Sequence, residues 1–85
     1  MKIEERKLYG AGIGAVVYPF EGSIFTAISA SAEPANEVLH DKARYDVNWP
    51  AIGSVDTETT RLFAQALLAA ADWVDEQRAK QEAAK

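Results

Sequence analysis

The C-terminal third of the chain has the hydrophobic spacing of an amphipathic helix. Asp56 is placed to cap the first turn, Glu58 follows it, and no Gly or Pro occurs from Thr57 to about Ala79. Positions that recur every three or four residues form one stripe: Thr59, Leu62, Phe63, Ala66, Leu67, Ala70, Trp73, Val74 and Gln77. The pattern predicts a helix over about residues 57–79 with one buried face, followed by a frayed tail over 80–85.

The first half of the chain has the period of two that is typical of β-strands. Apolar and polar residues alternate most regularly over 43–49. Phe20–Ser23 has the composition of a tight hairpin turn, in which Gly22 supplies a positive φ. The predicted strands cover about residues 2–9, 13–20, 23–31 and 43–49, and the charge of the first is typical of a sheet edge.

Together these elements predict a single domain over residues 1–85 with an α+β fold. The fold is a three- to four-stranded antiparallel meander packed by one long C-terminal helix. We expect Tyr45 and Trp49 to meet Phe63 and Trp73 in the core. A domain of 85 residues has a thin core, and one helix covers only part of a sheet. The opposite face of the sheet is therefore expected to meet a partner.

Composition excludes several kinds of chemistry. The chain has no cysteine, which excludes disulfides, cysteine zinc sites and thiol catalysis, and His40 is its single histidine. Nine basic and 13 acidic residues give a net charge of −4, without the basic stripe of a nucleic-acid-binding protein. We therefore expect no enzymatic activity, no cofactor and no nucleic-acid partner.

Two short motifs resemble ligand sites and are better explained as structure. Gly10–Gly14 has the spacing G-x-G-x-G, which lacks the dinucleotide fingerprint and continues into a strand, so a turn or bulge is favoured. Glu37, His40 and Asp41 are too few to ligate a metal without further groups. We expect them to belong to a solvated loop.

The N-terminal region imitates a secretory signal peptide. Basic residues precede an apolar run over 8–20, and Ala30–Ala32 has the form of a cleavage site. Glu4, Glu5 and Glu21 disagree with that interpretation, because they neutralise the basic segment and interrupt the apolar one. No apolar run reaches the roughly 18–20 residues of a membrane span. The expected location is therefore cytoplasmic, with no membrane association.

Three segments resemble small uncharacterised accessory proteins encoded by phages and prophages. They are Tyr18–Ser23, Val47–Asp56 and the Ala/Leu-rich helix that ends in Ala70–Trp73. The resemblance covers about half of the chain and brings no catalytic motif. It implies an accessory protein that acts on a host component.

The sequence thus predicts a non-catalytic protein–protein interaction module, a phage-type modulator or inhibitor of a host protein. Homodimerisation through the sheet is the companion hypothesis. The alternative is a protein that binds a nucleotide or metabolite, held between strands and helix or at a dimer seam, where Gly10–Gly14 allows close approach. The candidate interaction residues are Val16, Tyr18, Phe25 and Ala27 on the uncovered sheet face, and Arg61, Leu68 and Asp72 on the outer helix face.

Overall fold

A computed structural model describes residues 1–8, 12–36 and 42–83. The elements are β1 (Lys2–Lys7), β2 (Ile13–Tyr18), β3 (Ile28–Glu33), β4 (Arg44–Asn48) and α1 (Thr57–Ala83). The strands form one antiparallel sheet in the order β1-β2-β3-β4. The predicted α+β meander with one long C-terminal helix is confirmed. Across the described ranges, no helix is both long and apolar enough to cross a membrane.

The core lies between α1 and one face of the sheet. Small side chains meet there from both layers, Ala30 and Ala32 from β3 and Ala66 and Ala70 from α1, and all four are buried. Because alanine side chains are short, the helix axis can approach the sheet closely. The larger buried residues then fill the space around this contact: Val17, Ile28, Phe63, Trp73 and Val74.

α1 packs on β2, β3 and β4, and β1 extends beyond it as an exposed edge strand. One side-chain contact nevertheless joins α1 to β1. The Trp73 indole Nε1 donates a hydrogen bond to Glu5 Oε1 at 2.8 Å. The many charged residues of β1 are typical of an edge strand, because dense charge there disfavours pairing with other chains.

The third strand begins later than the sequence predicted. It starts at Ile28 and not near residue 23, because two consecutive turns occupy the segment between Tyr18 and Ile28. Gly22 has φ 79°, as predicted for the first turn. A hydrogen bond from the Thr26 hydroxyl to Ser23 Oγ, at 3.3 Å, supports the second turn. The predicted strand start was wrong because these local hydrogen bonds compete with sheet pairing.

The predicted frayed tail is helical as far as Ala83. Gln81 explains the difference, because its side-chain Nε2 donates to the Ala32 carbonyl at 3.1 Å and its Oε1 accepts from the Tyr45 hydroxyl at 2.7 Å. The Arg78 guanidinium lies over the Tyr45 ring, 4.6 Å from its centroid. These contacts hold the last described turns of α1 on β3 and β4. Residues 84–85 lie outside the described residues.

The predicted aromatic core is only partly correct. Phe63 and Trp73 are buried, and Tyr45 packs against the core, but Trp49 is 60% exposed. β4 ends at Asn48, and Pro50 follows Trp49 directly. Since proline has no N–H for sheet pairing and restricts the residue before it, Trp49 lies past the end of the strand and away from the core.

Candidate interaction site

Exposed apolar side chains collect at one end of the sheet. The register pairs Lys2 with Tyr18 and Ser29 with Asn48, so the start of β1, the β2–β3 loop and the end of β4 lie at that end. Within the described residues, the exposed large hydrophobic side chains lie in these segments, in the connection from β4 to α1 or in the first turns of α1. Leu68 is the exception. We call the set the apolar end: Met1, Ile3, Ile24, Phe25, Trp49, Val55 and Leu62.

A groove opens on the helix side of the apolar end. One wall is the connection from β4 to α1, and the other is the first two turns of α1. Its volume is about 270 Å³. We call it the Trp49 groove, and its lining residues are Trp49, Pro50, Ile52, Gly53, Val55, Thr59, Thr60 and Phe63. None of these side chains titrates, so the groove offers apolar contact and two hydroxyl groups but no acid–base chemistry.

The helical wall of the Trp49 groove is held by the N-cap of α1. Asp56 Oδ1 accepts from the Thr59 amide at 2.8 Å. The Asp56 carbonyl accepts from the amide and the hydroxyl of Thr60, at 3.0 and 2.7 Å. Hydrogen bonds from Thr59 lower the pKa of Asp56, so this carboxylate stays charged at the helix N-terminus. The cap therefore fixes Thr59 and Thr60 in the groove.

Most of the sheet-face residues predicted from the sequence expose little area. Val16 is only 8% exposed, and Tyr18 and Ala27 are half-buried, so they offer little area to a partner. The Tyr18 hydroxyl donates to Glu4 Oε2 at 3.3 Å. Phe25 is 86% exposed, but it lies in the β2–β3 loop and belongs to the apolar end. Of the four, only Phe25 presents a large apolar contact.

The face of the sheet that α1 leaves uncovered is polar. A hydrogen bond from the Lys2 ammonium, which lies 2.8 Å from Glu4 Oε1, lowers the pKa of Glu4. Alternation along the strands and the observed register place these polar side chains on that face: Lys2, Glu4, Arg6, Ser29, Ser31, Glu33, Arg44, Asp46 and Asn48. Water can solvate such a face, so its burial by a partner is not required for folding.

The predicted helix surface is exposed as expected. Arg61, Leu68 and Asp72 all lie on the solvent side of α1, opposite the buried stripe, and Leu68 is 66% exposed. Charged and small residues surround Leu68, and a single exposed leucine is common on protein surfaces. This face lacks the concave shape of the Trp49 groove.

The glycine motif is explained by packing where the structure describes it. A side chain at Gly12 would place its Cβ 2.9 Å from Glu33 Cγ, and one at Gly14 would lie 3.3 Å from the Leu8 methyl groups. An added methyl group at either position would therefore displace a neighbouring side chain, which gives both glycines a role in packing. Gly10 and Ala11 lie outside the described residues.

The metal-ligand candidates Glu37, His40 and Asp41 also lie outside the described residues. Among the residues that are described, no group of three or more His, Cys, Asp or Glu side chains is placed to hold a metal ion.

No family model, curated protein or solved structure matches the chain significantly. The sequence pattern does not reveal the Trp49 groove, because alternation predicts a core position for Trp49. A tryptophan followed directly by proline at the end of an alternating strand is the signal that would have placed it outside.

Proposed function

We propose that this protein is a non-catalytic protein-binding module that receives an apolar side chain of a partner protein in the Trp49 groove. One observation carries the proposal: an exposed tryptophan borders a concave apolar surface that has no ionisable lining residue. Exposed apolar patches of this kind are typical of protein-interaction sites, and tryptophan is enriched among the residues that dominate binding energy. The lining contains two threonine hydroxyls but no titratable side chain that could activate them as nucleophiles.

The lining of the groove favours an apolar side chain over a polar metabolite. Small-molecule sites combine apolar walls with a few convergent polar groups, whereas the polar side-chain groups of this lining are two threonine hydroxyls and the Trp49 indole N–H. One or two apolar side chains of a peptide fit such a space. The neighbouring Phe25, in the same apolar end, extends the apolar area that a longer segment can contact.

The charges around the Trp49 groove predict which residues flank the apolar side chain that the partner inserts. Asp56 and Glu58 are exposed at the start of α1, beside the groove, and Arg61 follows one turn later. The whole chain has a net charge of −4. We therefore expect a partner segment with an aromatic or aliphatic anchor and Lys or Arg beside it, because complementary charge accelerates encounter and selects partners. In biological terms, we propose a phage-type modulator or inhibitor whose partner is a host protein.

A matched set of synthetic peptides tests the proposal. Each peptide carries one central Trp, Phe or Leu, flanked by Lys, by Glu or by uncharged residues, and binding is followed by amide chemical shifts and titration calorimetry. Lys-flanked peptides are expected to bind most tightly and to shift the amides that line the Trp49 groove. Trp49→Ala should weaken binding by about tenfold or more. Leu68→Ala is the matched control, because it removes an exposed apolar side chain elsewhere on α1, and it should leave binding unchanged.

Two outcomes would contradict the proposal. One is peptide binding that Trp49→Ala does not weaken, although circular dichroism shows the variant to be folded. The other is a thermal shift produced by nucleotides or metabolites in the absence of peptide binding, which would favour the small-ligand alternative.

A further inference from the structure

The two edges of the sheet differ in how their charges are arranged. β1 and β4 are the edge strands, and the outer backbone groups of an edge strand are available for pairing with another chain. In β4, Arg44 and Asp46 are exposed on the polar face, where the register places Arg44 opposite Glu33 and Asp46 opposite Ser31 of β3. Within the described residues, neither Arg44 nor Asp46 forms an ion pair. In β1, by contrast, Lys2 and Glu4 already pair with each other.

The sequence of β4 is complementary to itself in one antiparallel register. A two-fold axis perpendicular to a sheet lies between the two strands, level with a residue that opposes its own copy, because residues that oppose each other must lie on the same face. With the axis at Tyr45, Arg44 opposes Asp46 of the other copy, twice, and Ala43 opposes Val47. An axis at Arg44 or at Asp46 would place that charge opposite its own copy. A single register therefore combines all of the favourable pairs.

The same comparison gives β1 less to gain from self-pairing. An axis at Glu4 or at Glu5 opposes a carboxylate to its own copy, which destabilises a strand pair. An axis at Ile3 opposes Lys2 to Glu4 of the other copy, but these two side chains already pair with each other within one chain.

We infer that β4 pairs with β4 of a second copy across a two-fold axis at Tyr45, so that two four-stranded sheets become one of eight strands. The contact uses the sheet edge and not the uncovered sheet face, and none of the paired residues 43–47 lines the Trp49 groove. On the helix side, the two Tyr45 residues oppose each other at the axis, each with its ring under Arg78 and its hydroxyl bonded to Gln81 of its own chain. On the polar face, the Arg44–Asp46 pairs flank the axis symmetrically.

The two helices fit on the same side of this extended sheet. α1 contacts β2, β3 and β4, which centres it on β3. The two copies of β3 are separated by three strand spacings, or roughly 14 Å. Packed helices need only about 8–10 Å between their axes.

Charge exchange at Arg44 and Asp46 tests the inference by sedimentation velocity over a wide range of protein concentration. The unmodified chain is expected to dimerise reversibly. Arg44→Asp and Asp46→Arg should each weaken the dimer by about tenfold or more, because each change creates two like-charge oppositions. An equimolar mixture of the two variants should form a mixed dimer, since each supplies the charge that the other needs. The double variant R44D/D46R should recover dimerisation relative to either single variant, although its new aspartate lies opposite Glu33 of β3.

Three results would overturn the inference. A monomer at every concentration excludes self-pairing, and a mass that grows beyond a dimer indicates head-to-tail pairing of β4 with β1. A dimer that both single variants leave intact indicates a different interface. Asp72→Arg, on the outer face of α1, is the control for general charge effects, and the mixed dimer shows that both single variants are folded.

Discussion

The contacts of Gln81 predict that the last described turns of α1 contribute to stability, although the sequence suggested a frayed tail. Gln81→Ala removes both the hydrogen bond to the Ala32 carbonyl and the one from the Tyr45 hydroxyl. The substitution does not lower the helix propensity at position 81, because alanine is the best helix former. Any loss of stability must therefore come from the contacts between α1 and the sheet.

The expected magnitude follows from two hydrogen bonds in a half-buried position. Each such bond contributes about 0.5–1.5 kcal/mol to the free energy of unfolding. Because water has partial access to this position, we expect the two bonds together to contribute about 1.5 kcal/mol, near the lower end of their combined range. For a domain of this size, that change lowers the melting temperature by roughly 6–12 °C. Tyr45→Phe removes only one of the two bonds and should cost about half as much.

Urea denaturation followed by far-ultraviolet circular dichroism measures the difference, at low protein concentration so that self-association does not contribute. Glu82→Ala, an exposed change in the same turn, is the matched control and should stay within about 0.5 kcal/mol of the unmodified chain. A double-mutant cycle between Tyr45→Phe and Gln81→Ala should return a coupling of about 0.5–1.5 kcal/mol. If Gln81→Ala is no more destabilising than Glu82→Ala, the contacts do not hold the helix end on the sheet.

Two further predictions concern the glycine turn and the helix cap. Gly12→Ala should lower the free energy of unfolding by about 1–3 kcal/mol in denaturant melts, because its Cβ would lie 2.9 Å from Glu33 Cγ. Gly53→Ala is the control, since a Cβ there meets open space, and it should be neutral or slightly stabilising. Equal effects of the two changes would contradict this prediction. The pKa of Asp56 is lowered by its bonds to Thr59, so its contribution is present above the unfolded pKa and is lost as the pH falls through the folded one. Asp56→Ala should therefore lower the melting temperature at neutral pH, by a difference that begins to shrink below about pH 4 and is mostly lost only below the folded pKa. A pH-independent difference would refute the cap's electrostatic role.

The helix and the fold class are the features that local sequence predicts well. The start of α1 at Thr57 follows from the Asp56 cap and from the apolar stripe, both of which depend on residues within a few positions of one another. The alternation over 43–49 likewise places β4, and Gly22 marks the first hairpin turn correctly. These signals are short-range, so they survive in any tertiary context.

The candidate site depended on long-range geometry. Trp49 looked like a core residue because its alternation continues that of Tyr45 and Val47, yet the strand ends one residue earlier. Val16 looked like part of an open apolar face, yet it is buried while serine and charged residues occupy that face. Alternation states which residues share a side of a strand, but it does not state which side the helix covers.

By itself, the sequence determined the order and type of the elements, since capping, turn chemistry and hydrophobic period act between near neighbours. Only the tertiary structure decided how far the elements extend and what they expose. Gln81 carries the helix to Ala83 through partners 36 and 49 residues away along the chain. The register of four strands brings Met1, Phe25 and Trp49 to one end of the molecule. Such contacts join residues that are distant in sequence, and the physical chemistry of neighbouring residues does not encode them.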